Sequence, residues 1–171
     1  MDQCKQKWRE LHGVALLPLA LGSAGTLGRG SAGGNFILAS RGQQQLLPQL
    51  KNKFVHLKAA RRLARFMECN EFLQIMGIRR FSKEILAESL HLVLPRGWRN
   101  ETFVQWDQAP GNSRGGSGGG GTPPTPLWLA AFWREISFSD VSGLPALAKW
   151  PLLPITTGEL VSCSFLPQVL Y

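Results

Sequence analysis

The stretch that decides the fold runs from Leu46 to Met76, LLPQLKNKFVHLKAARRLARFMECNEFLQIM, with no proline or glycine after Pro48. Read at 100° per residue, Leu50, Phe54, Leu57, Ala60, Leu63, Ala64 and Met67 fall on one broad half of a helical wheel. Lys51, Lys58, Arg61, Arg62 and Arg65 cluster on part of the other half. That segregation predicts a basic amphipathic helix, whose uninterrupted part from Gln49 to Met76 would be about 40 Å long at 1.5 Å per residue. It should bend or fray near Cys69 and Asn70, which are poor helix formers. Gly77 is a natural stop, because glycine enters the left-handed conformation freely. Ser82 then caps a second helix that ends at Leu94, with Leu86, Leu90, Val93 and Leu94 on one side and Pro95 and Gly97 at its close. The expected architecture is therefore mainly α: a helical hairpin of about residues 46–76 and 82–94.

Around this basic helical segment, residues 43–97, the rest of the chain reads as poorly ordered. Residues 1–42 form a flexible N-terminus. Lys5, Lys7 and Arg9 precede an apolar run from Val14 to Leu21, and small residues follow at Gly22, Ser23, Ala24 and Gly25. That order resembles a secretory signal peptide over residues 1–24, although Pro18 and the acidic Asp2 and Glu10 depart from the pattern. Gly22 to Gly34, rich in Gly, Ser and Ala, reads as loop. Residues 98–108 contain a short extended piece, Glu101 to Trp106. Residues 109–126, with seven glycines and four prolines, form a linker. Residues 127–171 are an apolar tail with three Trp and four Pro, helical from Leu127 to Phe138 and otherwise too broken by proline to extend. Extensive disorder is thus expected on both sides of the hairpin.

Bulk properties permit a folded core without demanding one. The chain has 171 residues, of which 44% are hydrophobic, so it should collapse in water. Charged residues make up 18%, against about 25% in ordinary domains. Six Trp against one Tyr, with abundant Gly, Pro, Arg and Leu, resembles the composition a GC-rich reading frame gives under little constraint. One expectation is accordingly a poorly constrained product with no defined function. The net charge is +8, and between Gln43 and Arg80 stand eight basic residues against Glu68 and Glu71, so this stretch carries +6 of it. Such a surface attracts nucleic acid, anionic lipid and acidic protein alike.

Motifs for chemistry are sparse. Cys4, Cys69 and Cys163 form no CxxC pair and His12, His56 and His91 are scattered, which argues against metal and redox sites. Gly28, Gly30 and Gly33 spell GxGxxG, but the next acidic residue is Glu68, too far to serve a dinucleotide ribose. Gly115, Ser117 and Gly119 spell GxSxG inside a glycine run, where the match is trivial. No Gly-Lys pair exists, so there is no Walker A loop. The expectation is a non-enzymatic interaction protein without cofactor or metal.

Lys51, Lys58, Arg61, Arg62 and Arg65 are the candidate residues for an anionic partner, in one of three ways. They could contact phosphates of nucleic acid. They could meet lipid headgroups while the apolar half lies on a membrane surface, no run being long enough to span one. They could also surround Phe54 and Met67 as these anchor in the groove of an acidic helix-binding protein. A fourth arrangement has the apolar half packed on the second helix and the cations merely solvated. The rival to all of these is a small secreted glycoprotein with a cleaved signal peptide. That reading uses Asn100, in Asn100-Glu101-Thr102, as the glycan acceptor and pairs Cys69 with Cys163.

Overall fold

The computed structural model describes Glu10 and residues 13–26, 36–62, 64–106, 124–137, 143–162 and 164. The chain divides into two compact units, Met1–Phe81 and Ser82–Tyr171.

The first unit is built around extended segments that pair edge to edge. β1 (Ala15–Pro18) and β2 (Ala24–Thr26) form an antiparallel hairpin, with Gly22 at φ +87° in its turn. β3 (Phe36–Leu38) pairs in parallel with β4 (Ile78–Arg80). Between these two ladders runs the short piece Phe54–Val55, bridged in parallel to Ile37 on one side and antiparallel to Leu19 on the other. Four backbone bonds hold it: Ile37 N–H to Lys53 O at 2.8 Å, Val55 N–H to Ile37 O at 3.0 Å, Ala20 N–H to Phe54 O at 2.8 Å and His56 N–H to Pro18 O at 2.8 Å. Buried backbone groups need such partners, and an extended piece flanked on both sides finds them without a helix.

Helices fill the connections. Ser40 caps α1 (Arg41–Leu46) through a capping box with Gln43, and a 3₁₀ turn, Pro48–Leu50, follows. After the bridge come α2 (Leu57–Arg62), α3 (Ala64–Met67) and α4 (Asn70–Met76). Gly77 ends α4 at φ +69°, the left-handed stop its sequence position implies. Leu17, Leu19, Phe36, Val55, Phe72, Leu73, Met76 and Ile78 pack into one buried cluster, with Ala60 and Ile75 against it.

Gly25 has a steric role in this unit. A Cβ placed there would overlap Cζ and Cε1 of Phe36, so the absence of a side chain lets the ring lie on the backbone of β2. Gly25→Ala is expected to destabilise the protein by about 1–3 kcal/mol, the usual range for overpacking. Urea denaturation should show a lower midpoint at an unchanged slope.

The second unit begins with α5 (Lys83–Val93), whose N-cap Ser82 accepts a hydrogen bond from Ile85 N–H at 3.4 Å. Ile85, Leu86, Leu90 and Val93 on its inner face are buried. A 3₁₀ turn, Arg96–Trp98, leads to β5 (Phe103–Gln105). α6 (Pro126–Glu135) is capped by Thr125, and β6 (Pro151–Pro154) and β7 (Glu159–Ser162) form a hairpin with Gly158 at φ +82° in the turn. The three strands make one antiparallel sheet in the order β5-β7-β6. Tryptophans fasten its margins: Trp133 Nε1–H donates to Leu152 O at 3.0 Å and Trp106 Nε1–H to Pro124 O at 2.8 Å. Ser162, the buried polar residue among the described residues of this unit, donates its hydroxyl to Ala148 O at 2.8 Å.

The mainly α expectation is therefore corrected. Six helices and three small sheets occur among the described residues, and the fold is mixed α/β. The helix expected over 46–76 is instead a 3₁₀ turn, an extended bridge and three short helices. The tail holds α6 near the helical piece expected over Leu127–Phe138, but beyond it, where only irregular chain was expected, it supplies two strands. The apolar run from Val14 to Leu21 contains β1, and its Leu17 and Leu19 lie in the core cluster of the first unit.

Candidate anion-binding surface

Lys51 opens the turn that feeds the bridge segment, where Lys53 N–H bonds Leu50 O at 2.8 Å and Lys51, Asn52 and Lys53 are all exposed. His56 closes the extended stretch. Its Nδ1 accepts from Lys58 N–H at 3.2 Å, which satisfies one of the open donors at the start of α2. Within α2, Lys58, Arg61 and Arg62 are spaced i, i+3, i+4 and therefore share a face. Arg65 follows in α3.

All five candidate cations are exposed. Their side chains make no hydrogen bond or ion pair with other described residues. The sequence explains why: from Leu11 to Met67 the chain has no aspartate or glutamate. The first acid after that, Glu68, is exposed at the end of α3. The structure adds further cations to the same unit. Arg41 at the start of α1, Lys53 in the turn and Arg79 on β4 are exposed as well. Arg41 lies before the stretch whose charge stood out by composition, so counting charges along the chain passed over it.

The apolar half of the expected helical wheel is not a surface. Phe54 is fully buried and Leu50 nearly so, while Leu57 and Ala60 are half-buried and Ala64 is exposed. Leu63 and the side chain of Met67 lie outside the described residues. Phe54 cannot anchor in a partner's groove from an interior position, and the helix-in-groove arrangement is corrected on that ground. Phe66 is 45% exposed, with its ring 5.6 Å from that of buried Phe72.

Asn100 is exposed with φ +70°, a conformation asparagine tolerates better than most residues, and its N–H donates to Lys149 O at 2.7 Å. Cys69 is an exposed free thiol, whereas Cys163 lies outside the described residues. So do Cys4 and both glycine motifs, Gly28/Gly30/Gly33 and Gly115/Ser117/Gly119. Among the described residues no group of three or more His, Cys, Asp or Glu is placed to hold a metal ion. No helix among them is long and apolar enough to cross a membrane. Comparison with protein-family models, curated proteins and solved structures found no match to this chain.

Proposed function

We propose that the chain is a non-enzymatic binding protein whose first unit holds a polyanion, nucleic acid being the partner that best fits. One observation carries this reading: Lys51, Lys58, Arg61, Arg62 and Arg65 are exposed, without acidic partners among the described residues, on a unit that has its own apolar core. Cations presented on a folded support without counter-charges are suited to phosphates along a backbone, since each contact releases condensed counterions.

Lipid is the weaker partner. An interfacial helix needs an apolar face to insert beneath the headgroups, and here the stretch is broken into short helices with Leu50, Phe54 and Val55 inside. The discriminating experiment offers the full chain a fluorescent oligonucleotide and, separately, vesicles with phosphatidylserine. Retention of the oligonucleotide with little vesicle association is the expected outcome. Tight vesicle binding with no oligonucleotide binding would reverse the assignment.

A further inference from the structure

α1 and the turn after the 3₁₀ segment enclose an open groove of about 480 Å³ in the first unit, lined in part by Leu21, Arg41, Gln44, Gln45, Pro48 and Lys51. That volume lies within the range of small-ligand sites, about 300–1,000 Å³. Arg41, Gln44 and Gln45 stand at i, i+3, i+4 on α1, and the Ser40 capping box fixes the start of that helix.

Three kinds of chemistry meet here. Arg41 and Lys51 are exposed cations with no side-chain partner among the described residues, and none of the described residues lining the groove carries a carboxylate. Gln44 is held by its own amide, whose Nε2 donates to Ala39 O at 3.3 Å and Val55 O at 3.4 Å. Its Oε1 accepts no hydrogen bond from a described residue. Leu21, 64% exposed, and the exposed ring of Pro48 supply apolar surface.

We propose that this groove binds a nucleotide unit. Arg41 and Lys51 take the phosphate, the Leu21 and Pro48 surface receives the flat base, and Gln44 Oε1, with the Gln45 amide, meets hydrogen-bonding groups on the base edge. The proposal rests on the polyanion reading and refines it, since a base can enter only when it is unstacked. The partner becomes a single strand or a free mononucleotide rather than a duplex.

Adenosine monophosphate titrated into the isotopically labelled full chain reads the groove directly, by amide shifts in ¹H–¹⁵N spectra. Saturable shifts at Gln44 and Gln45 are expected, with affinity about tenfold lower in Arg41→Gln and again in Lys51→Gln. Inorganic phosphate should bind more weakly than the nucleotide. An oligo-deoxyadenylate single strand should bind tighter than the mononucleotide and tighter than a duplex of equal length.

Shifts with the mononucleotide but no gain for the single strand assign the groove to a free nucleotide and remove the polyanion reading. Strong oligonucleotide binding with no response to the mononucleotide leaves the basic surface and ends the groove proposal. Phosphate matching the nucleotide, or Arg41→Gln binding it as well as the unaltered chain, ends that proposal too.

Discussion

Replacing Arg61, Arg62 and Arg65 together by glutamate is expected to lower oligonucleotide affinity by about 100-fold at moderate salt, with the far-ultraviolet circular dichroism spectrum unchanged. The three side chains are exposed, and none has a partner among the described residues that the substitution would orphan. Exposed substitutions of this kind usually change stability by about half a kcal/mol or less each. The binding loss is large because each site both gives up a phosphate contact and gains a repulsive charge. Fluorescence anisotropy on a labelled oligonucleotide measures it. Affinity within threefold of the unaltered chain would mean that the contacts lie elsewhere.

Phe54→Ala should have the largest effect on stability. The ring is fully buried, and the backbone on either side is bridged to Ile37 and to Leu19. Truncating a phenylalanine in such a position costs about 3–5 kcal/mol through lost burial and the cavity left behind. Domains of ordinary stability have about 5–15 kcal/mol in total, so the variant should melt far earlier or fail to fold. An amphipathic helix with Phe54 on its outer face makes the opposite forecast, a normal melting temperature with weakened partner binding. Thermal denaturation separates the two.

That contrast shows where the sequence was legible and where it was not. Helix ends announced by local chemistry are in the structure: Ser82 caps α5, Gly77 stops α4 in the left-handed conformation, and a helix over Pro126–Glu135 overlaps the stretch Leu127–Phe138 expected to hold one. The exposure of Lys51, Lys58, Arg61, Arg62 and Arg65 was also readable, because charged side chains without acidic neighbours are costly to bury. The misreading began at Lys51-Asn52-Lys53. Leu50, Phe54 and Leu57 fit a helical period, yet Phe54 and Val55 are also strand formers, and pairing with β3 and with Leu19 decides for the extended form. Those partners are contributed from residues 18–38, and no short window of sequence contains them. β6 was hidden for another reason. Pro151 and Pro154 discourage a strand assignment, but an edge strand can leave its missing N–H groups facing outward, and β6 is an edge in the order β5-β7-β6. The groove was invisible because Leu21, Arg41 and Lys51 come together only through the fold.

The salt dependence of oligonucleotide binding by the full chain tests the central claim most directly. If the five cations Lys51, Lys58, Arg61, Arg62 and Arg65 engage phosphates of a single strand, log K plotted against log salt concentration should fall with a slope of about −3.5, taking roughly 0.7 per contact. A slope near zero, or no binding even at low salt, would contradict the account.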